Sequence, residues 1–220
     1  MAKLLQSDLL PGIPHGFSTR DGIDGVAGPI VRVKQIHSAK VVTVGSQTPW
    51  NDVNPPQADA MVTNCTGVWL GIVTADCAPV LLADANAGVV GAAHAGWRGA
   101  VDGVLANTIE AMEALGARRE RISAAIGPCI AQASYEVDAP FRERFDEAHG
   151  HHFEPGKPDH WQFDLPGFVE ASLTQAGVTS IDSLARDTYC EEDCFYSYRR
   201  ATHRGQDTGG RQTSLIGMEI

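Results

Sequence analysis

The chain has 220 residues, 43% of them hydrophobic and 20% charged, which allows one sizeable core and argues against a disordered chain. Its 27 acidic and 17 basic residues leave a formal charge of -10, with no Lys/Arg run to displace counterions from a polyphosphate. Nucleic acid and membrane surfaces are therefore excluded as partners. The opening apolar run breaks at Asp8 and Pro11, no stretch approaches ~20 apolar residues, and the five cysteines are an odd number without an export signal. A cytoplasmic chain is expected.

In chain order, the first informative run is VRVKQI, which delivers His37; Gln35, two residues earlier, shares its face in an extended segment and could bond a substrate amide. DAMVT, Val68 to Thr74, PVLLAD and GVVGAAH follow as continuously apolar runs, the pattern of strands covered on both faces. After His94, the residues Val101, Val104, Leu105, Thr108, Ile109, Met112 and Leu115 recur at three- and four-residue steps and predict one amphipathic helix ending near Gly116. Its opening turn, with Arg98, offers free N–H groups and a guanidinium to an anion.

ISAAIGP then reads as a strand, Asp138 to Ala148 and Pro166 to Ala176 as helices, and SIDSLA, FYSYRR and QTSLIGM as late strands. HGHHFEPGKPDH between the helices reads as a surface loop with solvated histidines. Strict β-α alternation is lacking, so the predicted fold is α+β: a single domain over residues 1–220, with a mixed β-sheet core flanked by helices. No G-x-G-x-x-G or G-x-x-x-x-G-K-[ST] occurs, which removes the common NAD and NTP motifs.

Three potential metal ligands end or follow apolar runs: His37, Cys77 and His94. Two imidazoles and a thiolate leave a tetrahedral zinc ion one open position, the arrangement of catalytic sites. The bland alternative is that Cys77 packs in the core and His94 is a hydrogen-bonded core histidine, and the spacing alone leaves both open. Asp76 beside Cys77 is costly at a buried strand end unless paired, which suits a proton shuttle or a turn cap. Cys190 and Cys194 have a C-x-x-x-C separation, but no second pair accompanies them.

The blocks HGFSTR, KQIHS, DAMVTN, TADCAPVLLAD, HAGWRG, AIGPCI, SYRR and GRQTSLIG run in order from residue 15 to 218. Together they resemble the bacterial family named variously multicopper polyphenol oxidase or laccase-domain protein, peptidoglycan editing factor, and purine nucleoside phosphorylase with adenosine deaminase activity. The resemblance implies a mononuclear zinc site on His37, Cys77 and His94, with copper the lesser alternative, since multicopper chemistry needs several imidazole-rich sites. It also implies phosphorolysis of adenosine, inosine and methylthioadenosine and hydrolytic deamination of adenosine. The partners it implies are a purine nucleoside and phosphate; the chain itself is expected to be a monomer or weak homo-oligomer.

Within that reaction, Asp76 is assigned to proton transfer, Cys77 to the site itself, and Arg20 and Arg98 to phosphate, because a guanidinium offers a planar fork for its oxygens. Two rivals differ in class: a metal-free hydrolase with Cys77 as nucleophile and His94 as base acting on a peptidoglycan precursor, and a metal-binding protein without turnover. One departure from the family pattern is the short DGIDGVAGPIVRV segment between the STR and QIH blocks, which predicts a pocket lacking part of one wall.

Overall fold

The computed structural model describes residues 4–23, 26, 28–45 and 53–218. In chain order the elements are β1 (His15–Phe17), β2 (Ile30–Val31), β3 (Val41–Thr43), β4 (Ala60–Thr63), β5 (Trp69–Thr74), β6 (Ala78–Asp84), β7 (Val89–Ala95), α1 (Trp97–Val101) and α2 (Val104–Ala114). They continue with β8 (Ser123–Ile126), β9 (Glu136–Asp138), α3 (Ala139–Arg142), β10 (Phe153–Pro155), β11 (His160–Phe163), α4 (Leu165–Gln175), β12 (Ser180–Ser183), α5 (Tyr198–His203) and β13 (Gln212–Gly217).

The strands form a six-stranded sheet in the order β12-β8-β6-β7-β4-β3, a four-stranded sheet in the order β1-β13-β5-β2, and a three-stranded sheet in the order β10-β11-β9. Parallel pairs at β12–β8, β3–β4 and β2–β5 make the two larger sheets mixed, as expected for an α+β fold.

β6 shows why its sequence is apolar without interruption. Ala78, Val80 and Leu82 pack in a core that includes Leu105 and Ile109 of α2 and Phe168 of α4. Leu81 and Ala83 point the other way, into a second core with Phe17, Leu70, Ile72 and Ile216 of the four-stranded sheet. A period of two thus aims alternate residues at helices and at a second sheet, and both faces are dry. Truncating a fully buried leucine such as Leu81 or Leu82 to alanine costs ~2–5 kcal/mol. Helices flank one face of the central sheet, while a second sheet, which the sequence pattern does not distinguish, covers the other.

Four local predictions need correction. The helix predicted after His94 is two helices, because Gly103 takes φ 91°, a left-handed conformation that ends α1 and starts α2. The helix predicted over Asp138 to Ala148 shrinks to α3, capped by Asp138 accepting from the Phe141 amide at 3.0 Å. Beyond it, the 149–160 segment forms a 3-10 turn at Glu147–His152 and the β10–β11 hairpin, with His152 only 5% exposed. The rings of Phe141, Phe145, Phe153 and Phe163 meet at 4.8–6.3 Å, so aromatic packing overrides helical periodicity here. Finally, FYSYRR is not a strand: Ser197 caps α5 by accepting from the Arg200 amide at 3.1 Å.

Candidate metal centre

Strand register assembles the site. β4 and β7 pair Ala60 with Ala93, which places Asp59 opposite His94, and the His94 amide donates to the Asp59 carbonyl at 2.7 Å. β6 and β7 pair Ala78 with Ala95, which places Cys77 opposite Gly96. His37 arrives on the loop after β2. One ligand atom from each of His37, Cys77 and His94 then lies within 4.8 Å of the others. His37 is exposed, Cys77 half-buried and His94 buried, as at the wall of an open pocket.

Asp59 organises this cluster, and sequence reasoning missed it. Its carboxylate accepts the amides of Ile36, His37 and Ser38 at 2.6–3.2 Å and the Ser38 hydroxyl at 2.7 Å. It also lies 2.8 Å from His94 Nδ1, so the Nε2 edge of that imidazole is left for a ligand. Burial by itself would raise the Asp59 carboxyl, but the bonds to His94 and Ser38 outweigh it and hold the group well below the usual carboxylate range. Burial likewise opposes charge on His94, yet Asp59 and Cys77 raise it to about 9; hydrogen bonds from His37 and His94 outweigh burial at Cys77 and lower its thiol to about 6. The buried-charge argument applied to Asp76 holds equally for Asp59, which opens an apolar strand, and that signal was available in the sequence.

Two residues here carry left-handed backbone: His37 at φ 59° and Asp76 at φ 85°. Such conformations cost ~1–3 kcal/mol each and persist only where neighbours enforce them. Asp59 enforces the first through three consecutive amides. Asp76 is held at one oxygen by the Thr188 hydroxyl (2.7 Å), at the other by the Arg199 amide (2.6 Å), and at its carbonyl by the Ile130 amide (2.9 Å).

The cluster lines a cavity of about 760 Å³, together with Gln35, Asp76, Arg98, Tyr135, Tyr198, Arg199 and Arg211. That volume suits a small organic substrate. Gln35 is there, but its amide is committed: Nε2 donates to the Val73 carbonyl at 2.8 Å and Oε1 accepts from the Val73 amide at 2.9 Å. It mimics a strand partner for β5 rather than presenting a free amide. Arg98 lines the cavity and lies 5.0 Å over the Trp97 ring, although the five-residue α1 supplies a weaker dipole than the long helix expected. Arg20 is elsewhere: its Nε donates to the Phe195 carbonyl at 3.2 Å, its guanidinium lies 4.5 Å over Tyr196, and both line a separate cavity of about 140 Å³. The Arg20 amide donates to the Cys194 carbonyl at 2.8 Å, so the segment after β1 is tied to the 194–196 loop instead.

The donor set fits one zinc ion. Tetrahedral coordination at ~2.0–2.3 Å brings ligand atoms about 3.3–3.8 Å apart, within side-chain adjustment of the distances here. The chain also keeps the space clear. A Cβ on Gly96 would lie 2.8 Å from His37 Nδ1 and 2.9 Å from Cys77 Sγ, so any larger residue would displace those two ligand side chains. Among the described residues, no other cluster of three or more His, Cys, Asp or Glu side chains has this geometry; Cys190 and Cys194 belong to none.

The α+β fold thus carries a His–Cys–His cluster that could hold one metal ion, on the wall of a substrate-sized cavity. The chain belongs to the multi-copper polyphenol oxidoreductase laccase family, which it matches over residues 20–219. It is 40% identical over 193 residues to a purine nucleoside phosphorylase of Deinococcus radiodurans, covering 87% of this chain and 71% of that protein. It is 34% identical over 185 residues to an adenosine deaminase from an unknown prokaryotic organism, covering 78% and 70%. A Neisseria meningitidis protein of solved structure superposes with a TM-score of 0.85 at 28% identity, covering 99% of both chains. Among the described residues no helix is long and apolar enough to cross a membrane.

Proposed function

We propose that the protein is a zinc-dependent purine nucleoside phosphorylase, acting on adenosine, inosine and methylthioadenosine, with adenosine deaminase activity, working in the cytoplasm. The observation that carries this reading is the convergence of His37, Cys77 and His94 on a cavity of about 760 Å³, in a chain whose relatives bear phosphorylase and deaminase names. A zinc ion held by these three side chains would supply a Lewis acid able to acidify water and polarise a purine substituent. A single cluster among the described residues, with a thiolate in it, favours zinc over multicopper chemistry, which needs several imidazole-rich sites.

The chain's own residues do the rest. Asp59 fixes the tautomer of His94 and the loop bearing His37. Asp76, at the cavity wall, is the carboxylate placed to move a proton to or from the purine. Tyr198, 51% exposed on the same wall, supplies an aromatic ring on which a planar base could stack. In phosphorolysis a phosphate oxygen bonds to C1′ of the ribose as the C1′–N9 bond breaks; its electron pair leaves with the purine, which takes the proton released by hydrogen phosphate.

Elemental analysis together with product analysis tests this. About one zinc per chain, adenine and a sugar phosphate formed with phosphate present, and inosine formed without it are expected. The second reading, a hydrolase using Cys77, draws on the lowered thiol. It predicts activity that survives a chelator and is abolished by alkylation of Cys77.

A further inference from the structure

The cavity gathers three arginines that form no ion pair with a carboxylate among the described residues. Arg98, Arg199 and Arg211 all line it, in a chain of net charge -10. Other arginines here pair with acids: Arg119 with Glu113, Arg121 with Asp84, Arg186 with Glu191 and Arg204 with Glu192. Among the described residues none of the three cavity arginines has a carboxylate within 4.0 Å, and the one acid in the lining, Asp76, has both oxygens engaged by Thr188 and the Arg199 amide.

The three are nonetheless oriented, and by neutral groups. Arg199 Nη1 donates to the Glu136 carbonyl at 2.7 Å, with its guanidinium 5.1 Å over the Tyr135 ring. Arg211 Nη1 donates to the carbonyls of Thr208 and Gly210 at 2.6 and 2.7 Å. Arg98 lies over Trp97. Carbonyls and ring faces hold a guanidinium in place without cancelling its charge, and each retains N–H donors from the five it carries. Like charges gathered on one cavity repel unless an anion joins them.

We infer that Arg199 and Arg211, with Arg98, form the oxyanion subsite of this cavity, taking the tetrahedral phosphate group, while Arg20 takes no part. This rests on the phosphorylase reading for the source of the phosphate, which is free inorganic phosphate rather than the phosphate of a nucleoside monophosphate. Of the two arginines assigned to phosphate from the sequence, Arg98 is kept and Arg20 gives way to Arg199 and Arg211 from the C-terminal end of the chain.

The test uses the zinc-loaded protein with inorganic phosphate as the probe. Phenylglyoxal labels exposed guanidiniums; phosphate is expected to protect Arg98, Arg199 and Arg211 in the unaltered protein and to leave Arg20 reactive. Arg199→Gln and Arg211→Gln are each expected to weaken phosphate binding, measured calorimetrically, by about 10- to 100-fold, since each removes charge-assisted bonds. Arg211→Lys is expected to recover part of the loss, while Arg20→Gln leaves it unchanged. Phosphate that protects Arg20 and not the other three, or binds both glutamine variants as tightly as the parent, overturns the inference. So does adenosine monophosphate binding through the same arginines with no binding of inorganic phosphate. Protection and weakened binding without any phosphorolysis product leave the subsite standing and remove the phosphorylase reading instead.

Discussion

Asp59 Oδ1 sits 2.8 Å from His94 Nδ1, and the same carboxylate takes the amide of His37 at 2.9 Å, so one fully buried group orients two of the three candidate ligands. Asp59→Asn keeps the shape but puts an NH2 among donors that need an acceptor. Metal affinity is expected to fall about 10- to 100-fold, as for other partners of ligating histidines. Competition with a chromophoric chelator reads this directly, and an unchanged affinity would remove Asp59 from the support of the site.

Gly96→Ala tests the space rather than the ligands. Gly96 has φ -72° and ψ 160°, which alanine adopts freely, so the added methyl acts through its approach to His37 Nδ1 and Cys77 Sγ. Zinc content well below one per chain with a near-parental melting temperature is the expected result. Full occupancy in the variant would mean that the ion, if any, is held away from Gly96.

Asp76→Asn is expected to keep its metal and lose ~100- to 10,000-fold in deaminase turnover, the range for a general acid or base. Because an asparagine amide has one oxygen where the carboxylate has two, its NH2 also meets either the Thr188 hydroxyl or the Arg199 amide. Thr188→Val serves as the control, removing one anchor while retaining the carboxylate. If it reproduces the whole loss at equal metal content, Asp76 is a backbone anchor and not a proton carrier.

Acid stability should report on Asp84. This carboxylate is buried, yet the Arg118 amide at 3.0 Å, the Arg121 guanidinium at 2.8 Å and the Ala87 amide at 3.1 Å outweigh burial and hold it below its usual range. A depressed folded-state pKa means that its stabilisation is fully present above the unfolded value near ~4 and is lost as pH falls through the folded one. Asp84→Asn should therefore cost roughly 1–3 kcal/mol at neutral pH and less in strong acid. Urea unfolding at neutral pH and below pH ~3 measures the difference; an equal cost at both would exclude the carboxylate charge as its source.

What the sequence by itself determined is local or blockwise. Runs such as PVLLAD and GVVGAAH read as strands buried on both faces because burial requires unbroken apolarity, and they became β6 and β7. His37, Cys77 and His94 stood out as metal-capable side chains at the ends of such runs, and the family resemblance singled out the same three.

Tertiary structure decided the rest, because it depends on partners far away in the chain. Asp59 and His94 are 35 positions apart and meet only through the β4–β7 register. Arg199 and Arg211 reach the cavity from the far end of the sequence, where nothing local separates them from surface cations, and Arg20 is held away from it by the carbonyls of Cys194 and Phe195. The helical pattern after His94 was right in period, but it could not show that Gly103 would take a left-handed turn. Periodicity reports which face of an element is buried, whereas a site is fixed by which elements are brought together, and only the register of strands and the packing of loops on them settles that.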